Sequence, residues 1–182
     1  MRTMFFVRTA LGLLLFAGTA GAGGQAGEVL NLASGGAMTY STQAGNTRLE
    51  LSTASGTRYQ ASLARDATVA PQSPPANLKI VGEMKGPKFI LIDTYASIPG
   101  GMSYCQAGEE RFLRVLVVSG KQLQETLRMK LESCRDNLEL GSPGIEWQSG
   151  TSTLKIDWLQ GPSTKGKAEA RTIRISETGK PI

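Results

Sequence analysis

Apolar and polar residues alternate along much of this chain, a pattern typical of strands that bury one face. The alternation is clear in residues 47–53 and 57–63, and the intervening Ala54-Ser55-Gly56 favours a tight turn. These two runs therefore predict a hairpin. A preceding run over residues 37–43, with its own turn at residues 44–46, extends the hairpin to a three-stranded meander.

Two runs are apolar on both faces over part of their length, as central strands are. They are residues 88–95 (KFILIDTY) and residues 112–119 (FLRVLVVS). Further alternating runs predict the remaining strands: residues 125–134, a hairpin formed by residues 145–147 and 154–158, and residues 171–176. About ten short strands at this spacing predict an all-β protein, built as an antiparallel sandwich or barrel.

The N-terminal segment has the pattern of a secretory signal peptide. Two arginines lie among the first eight residues, an apolar run follows over residues 11–20, and Ala20-Gly21-Ala22 provides small residues for cleavage. We therefore predict that residues 1–22 are removed and that residues 23–182 form a single β domain, exported to a bacterial periplasm or secreted. The uncharged residues 9–27 nearly match a membrane span in length, so a retained anchor is the alternative, although their glycines weaken a helix. After cleavage no stable membrane span is expected.

The proline-rich segment Ala70–Ala76 is the one candidate joint within this domain. Three prolines in seven residues exclude a central strand. Residues 28–70 are too few to hold a stable core alone, so we predict a stiff crossover inside one domain.

Cysteine and histidine usage restricts the chemistry. The chain has two cysteines, Cys105 and Cys134, and no histidine. In an exported chain an even number of cysteines favours a disulfide. If residues 112–119 pair with residues 124–133, Cys134 lies opposite a position close to Cys105, so we predict a Cys105–Cys134 bond. The absence of histidine excludes Ser-His-Asp and Cys-His catalysis and His-ligated zinc, and we predict no catalytic residues, metal or cofactor.

The net charge of +5 does not indicate a nucleic-acid protein. Basic residues are scattered singly among acidic ones, and no run of lysines and arginines interleaves with aromatic residues. We therefore predict no nucleic-acid partner. An acidic partner protein or an anionic envelope polymer is compatible with this charge.

The longest predicted connection, Ser97–Glu110, is a candidate contact surface. It is rich in glycine and is pinned at Cys105. Loops held by a rigid scaffold often carry recognition, and Met102, Tyr104 and Glu110 are the candidate partner contacts. The alternative is an ordinary connection that a disulfide stabilises.

A second candidate surface is the turn of the first hairpin. Residues 52–59 read STASGTRY, which resembles the S-A-S-G-x-R-Y segment of the bacterial periplasmic inhibitors of C-type lysozyme. In that family the loop serine enters the lysozyme cleft and the fold is a small β-barrel. The resemblance implies partner contacts for Ser55, Arg58 and Tyr59. It covers eight residues, and the family's second motif is absent because no tryptophan precedes Lys85-Gly86.

These observations predict a non-catalytic exported binding protein, most concretely an inhibitor or immunity-type protein for a secreted or envelope enzyme. One alternative is an envelope-assembly or small-ligand-carrying β-barrel, which a closed apolar cavity would favour. Another is a carboxylate-based cell-wall hydrolase, which two facing carboxylates in a cleft would favour. The acidic residues available for such a pair are Glu83, Asp93, Glu146 and Asp157.

Overall fold

The computed structural model describes residues 25–43, 45–99, 108–164 and 166–182. Over these ranges the protein is all-β, as predicted, with eleven strands. None of the described segments forms a helix of the length and apolar character that a membrane span requires. The strands are β1 (Gln25–Asn31), β2 (Gly36–Gln43), β3 (Asn46–Thr53), β4 (Arg58–Leu63), β5 (Asn77–Met84), β6 (Lys88–Ala96), β7 (Glu109–Ser119), β8 (Gln122–Ser133), β9 (Glu139–Gln148), β10 (Thr153–Gln160) and β11 (Glu169–Arg174).

The strands form three antiparallel meanders, each built from consecutive strands. The first sheet has the order β1-β2-β3-β4, the central sheet β5-β6-β7-β8, and the third sheet β11-β10-β9. Within the described residues no sheet closes on itself. Of the two predicted architectures, the described residues therefore form layered sheets and not a closed barrel.

The central sheet is covered on both faces. Since successive residues of a strand point to opposite faces, Phe89 and Leu91 of β6 pack against the first sheet, and Ile90 and Ile92 pack against the third. Eight of the nine residues of β6 are buried, which explains why its sequence is apolar on both faces. The residues that cover it are Met38, Leu49, Leu51 and Leu63 from the first sheet, and Leu154, Ile156, Trp158 and Ile173 from the third.

The predicted hairpins and their pairing are confirmed. Leu51 lies opposite Tyr59 in the first hairpin, and Leu154 lies opposite Trp147 in the later one. Residues 125–133 belong to strand β8, as their alternation predicted, and the predicted run extends one residue beyond its end, to Cys134.

Strands β1 and β5 are not among the predicted strands. In β5 the pairing with β6 shifts between Ile80 and Gly82, which interrupts the alternation of its residues. Gly82 is required there, because a Cβ atom at this position would lie 2.7 Å from Cδ1 of Trp147. Strand β1 begins within the segment that is rich in glycine and alanine, where few side chains report a periodicity.

The proline-rich segment is a loop between β4 and β5, and one arginine holds it. The guanidinium of Arg65 donates to the carbonyl oxygens of Ala70 (2.7 Å) and Ser73 (2.5 Å). Leu63 before the loop and Leu78 after it belong to the same hydrophobic cluster. The crossover therefore joins two sheets that share a core.

Cys134 directly follows β8, and its amide donates to the carbonyl oxygen of Glu109 (3.3 Å). The pairing of β7 with β8, which the disulfide prediction assumed, is confirmed, with Glu110 opposite Ser133. Cys105 and residues 1–22 lie outside the described residues. The disulfide and the signal peptide therefore stay predictions.

Candidate functional site

Five turns meet at one end of the three sheets, which we call the turn end. Contacts between neighbouring sheets show that these turns lie at the same end. Glu83 at the end of β5 binds the β1–β2 turn, the β5–β6 and β9–β10 turns line one cleft, and the β7–β8 turn lies beside β4. The turns are residues 32–35, 54–57, 85–87, 120–121 and 149–152.

Glu83 connects the first sheet to the central sheet at this end. Its two carboxylate oxygens accept the backbone amides of Ala33 (2.5 Å) and Ser34 (3.1 Å). The β1–β2 turn is thus held by a charge-assisted pair of hydrogen bonds. Both oxygens of this acid therefore take part in holding the β1–β2 turn.

A cleft of about 940 Å³ opens at the turn end between the central and third sheets. A smaller cavity of about 330 Å³ shares five of its residues and adds Arg174 and Ile182. We call the two together the turn-end cleft. Its lining residues include Glu83, Met84, Lys85, Lys88, Val117, Val118, Ser149, Ser152, Arg174 and Glu177.

The C-terminal segment forms one wall of this cleft. Ile175 pairs with Pro181 in an isolated bridge, and the hydroxyl of Thr126 donates to the carbonyl oxygen of Gly179 (2.9 Å). Gly179 has a φ of 77° and lies directly on Val117, where a Cβ atom would overlap the valine side chain. Only glycine suits this position. Gly179 therefore allows the C-terminal turn to pack closely on β7.

Lys88 lies at the inner side of the turn-end cleft. It is the first residue of β6 and is only 8% exposed. Its Nζ donates to the carbonyl oxygen of Glu177 (2.9 Å). This residue is not among the candidates predicted from the sequence, although a lysine at the start of an otherwise apolar strand is a visible signal of a buried charge.

Basic side chains outnumber acidic ones around the cavities of the turn end. Five basic residues line them, and the two acidic residues are Glu83 and Glu177. Because five basic residues face two acidic ones, the field at this end is positive and favours anionic groups. The basic residues are Arg58, Lys85, Lys88, Lys121 and Arg174.

The lysozyme-inhibitor-like turn also lies at the turn end. Ser55 is exposed, and its hydroxyl lies 2.9 Å from Oγ1 of Thr53 and 3.3 Å from Oγ1 of Thr57. The Arg58 side chain is 73% exposed and lies 3.8 Å from Glu50, whereas Tyr59 is half-buried against the first core cluster. Ser55 and Arg58 are therefore available to a partner, and much of Tyr59 belongs to the core.

A groove of about 530 Å³ extends from this turn to the β7–β8 turn. Residues 60–62 of β4 form one side, and Lys121 and Leu123 form the other. Arg58 and Lys121 give it the same charge as the turn-end cleft.

The described ends of the predicted contact loop Ser97–Glu110, residues 97–99 and 108–110, lie at the opposite end of the sheets. Met102 and Tyr104 lie outside the described residues. Glu110 is completely buried, and its carboxylate accepts the hydroxyls of Ser97 (2.7 Å) and Thr68 (2.8 Å). Glu110 therefore does not present its carboxylate at the surface. It connects Ser97, at the start of its own loop, with Thr68 in the loop between β4 and β5.

Lys130 completes the buried polar group around Glu110. Its Nζ lies 3.2 Å from Oδ1 of Asp66 and 3.9 Å from Oε2 of Glu110, and it also pairs with Asp136. Burial opposes the charged form of Lys130, but the bonds and charges of Asp136 and Asp66 outweigh it and raise its pKa. The pKa of Asp66 is correspondingly lowered: burial opposes this shift, but hydrogen bonds from Thr68 and the charge of Lys130 prevail. Both groups stay charged at neutral pH, which suits a structural ion cluster.

A second buried ion group lies between the first and central sheets. Arg114 Nε donates to both carboxylate oxygens of Asp93 (2.9 and 2.8 Å), and Nη1 donates to Glu125 and to the carbonyl oxygen of Ala64 (2.9 Å each). Beside this group, burial and the charge of Asp93 raise the pKa of Tyr95 far above its usual value. The phenol therefore stays protonated.

The four carboxylates considered for a hydrolase are not brought together. Glu83 holds a turn, and Asp93 is buried in its pair with Arg114. In the third sheet, Glu146 of β9 lies 4.0 Å from Lys155 of β10. Asp157 is exposed on β10. Within the described residues, no group of acidic and cysteine side chains is arranged to hold a metal ion.

Comparison with known proteins adds no further assignment. No family model, no curated protein and no solved structure matches the chain. The function of this chain is therefore inferred from its own residues.

Proposed function

We propose that this chain is a non-catalytic exported binding protein, most concretely an inhibitor or immunity-type protein for a secreted or envelope enzyme, and that the turn end is its contact surface. The observation that carries the proposal is the convergence of five turns and a basic cleft at one end of the layered sheets. Turns on a rigid scaffold are the usual place for recognition, because their side chains vary without disturbing the core.

The charge of this surface supports an acidic partner. The turn-end cleft and the groove between β4 and the β7–β8 turn both carry positive side chains. These charges would attract an acidic partner and orient it before contact. The packing of the core favours a contact site at the surface over a ligand site in the interior, since both faces of the central sheet are packed with side chains. The turn-end cleft is open to solvent and is lined by charged and hydroxyl groups as well as by apolar ones, which suits contact with a partner better than storage of an apolar ligand.

The proposal is tested by charge reversal at the cleft rim. We expect Lys85→Glu combined with Arg174→Glu to reduce capture of the partner enzyme from a periplasmic extract by roughly tenfold or more, because steering and contact are both lost. Capture is followed by mass spectrometry of the eluted proteins and by the activity of the captured enzyme with and without added protein.

The matched control is Lys79→Glu combined with Arg48→Glu. This variant makes the same change of net charge at exposed positions in the middle of strands β5 and β3. It should capture the enzyme as the unmodified protein does. Equal capture by both variants, or capture without inhibition, would contradict the proposal.

We also infer that the chain is exported with cleavage after Ala22 and carries a Cys105–Cys134 disulfide. The arrangement around Cys134 supports the disulfide, because Gly108, three residues after Cys105 in the sequence, lies against Cys134. Mass spectrometry of protein recovered from the periplasm should find Gly23 at the N-terminus. The denatured, unreduced protein should carry no thiol label. A retained Met1 would contradict the cleavage, and two labelled thiols would contradict the bond.

A further inference from the structure

Three cationic side chains of this protein, Lys88, Arg114 and Lys130, are mostly buried, and among the described residues Lys88 has no carboxylate within ion-pair distance. Arg114 is paired with Asp93 and Glu125, and Lys130 is paired with Asp66 and Asp136. These two follow the rule that a buried charge is compensated by opposite charge.

Lys88 does not follow this rule. Its ammonium has three donors, and it makes one hydrogen bond, to the uncharged carbonyl oxygen of Glu177. Among the described residues no carboxylate lies within ion-pair distance of its Nζ, since the ten ion pairs of those residues involve other cations. The Glu83 carboxylate lines the same cleft, but it forms no ion pair with Lys88 and accepts two backbone amides.

The position of Lys88 allows a ligand to supply the missing charge. Lys88 precedes Phe89, which faces the first sheet, so its side chain points to the face covered by the third sheet. It lines both cavities of the turn-end cleft, together with Ser152, and the cleft is open to solvent. Arg174 lines the smaller cavity and Lys85 the larger one.

We propose that the turn-end cleft binds an oxyanion, a carboxylate or phosphate group, with Lys88 as its charge partner. Ser152 offers a hydroxyl donor, and Arg174 and Lys85 add positive charge at the rim. This inference rests on the proposed function in one respect: the bound oxyanion would be an acidic group of the protein partner. The site itself is tested without the partner, by free anions.

Thermal unfolding of the mature protein in sodium phosphate or sodium acetate, each compared with sodium chloride at equal ionic strength, tests the site. At a concentration ten times its dissociation constant, a bound anion should raise Tm by about 3–5 °C. Lys88→Met, which keeps most of the side-chain volume and removes the charge, should abolish this increase. It should also make the anion-free protein at least as stable, because a mostly buried cation without a carboxylate partner is removed.

Lys79→Met is the matched control, since it removes one lysine from an exposed position of β5. It should keep the full response. An increase with both anions assigns a general oxyanion site, and an increase with only one assigns that chemistry. The same response in all three proteins, or none in the unmodified one, would overturn the proposal.

If Lys88→Met does not fold, the side-chain ammonium resonance of Lys88 in the unmodified protein decides. A saturable shift during phosphate or acetate titration supports the site, and no saturable shift with either anion overturns it. Anion binding without capture of any enzyme would contradict the proposed function and leave the anion site in place.

Discussion

Replacing Asp93 by alanine is expected to lower the free energy of unfolding by about 3–5 kcal/mol. Asp93 is fully buried, and both of its oxygens accept Nε of Arg114, which is 1% exposed. Without this carboxylate the guanidinium remains inside the protein with one acidic neighbour, Glu125, whose side chain is 17% exposed. Urea unfolding, followed by the fluorescence of the two tryptophans, measures the loss.

Two further variants separate the charge from the lost packing. Asp93→Leu combined with Arg114→Met removes both charges, and we expect it to recover most of the stability. Glu50→Ala breaks the exposed pair with Arg58 and should change stability by about 1 kcal/mol or less. If Asp93→Ala is as stable as Glu50→Ala, the buried pair does not support the fold.

Much of the strand order was predictable because each sheet is a meander. A meander is specified by local signals, the alternation of side chains and the turn residues, and both are visible in the first hairpin and in the pairing of Trp147 with Leu154. The prediction missed β5, because a bulge at Gly82 makes room for Trp147 of a distant strand. A contact between residues so far apart in the chain leaves no periodic signal in β5 itself.

The stacking of the sheets was only partly predictable. The continuous apolar run of β6 predicts burial on both faces, and this is observed. The run does not indicate which sheets cover it, because Phe89 and Ile90 are equally apolar and their neighbours come from opposite ends of the chain. Layer order depends on long-range packing, on which periodicity carries no information.

The candidate site was less predictable than the fold. Motif reasoning reached Ser55 and Arg58, which lie at the turn end, because a turn is a local feature. It did not reach the turn-end cleft, whose walls come from the central sheet, the third sheet and the C-terminal segment. Lys88, Asp93 and Arg114 share one signal, a charged residue within or beside an apolar run. That signal identifies buried charge, but only the structure shows which charges are compensated.

Replacing Glu110 by alanine is expected to lower the free energy of unfolding by about 2–4 kcal/mol, because two hydroxyl donors lose this carboxylate inside the protein and only Thr68 has another acceptor, Oδ1 of Asp66 at 2.7 Å. Those donors are Ser97, which is 3% exposed, and Thr68, and Lys130 loses one of its acidic neighbours. The adjacent Glu109 is the control: its side chain is 56% exposed, so Glu109→Ala should leave stability nearly unchanged. Urea unfolding of both variants, together with enzyme capture, distinguishes the two roles considered for Glu110: partner contact and internal support.

A stable Glu110→Ala variant that loses enzyme capture would return the contact surface to the loop that ends at this residue. A destabilised variant that still captures the enzyme below its unfolding transition would assign Glu110 to the internal support of that loop, and would leave the turn end as the surface that meets the partner.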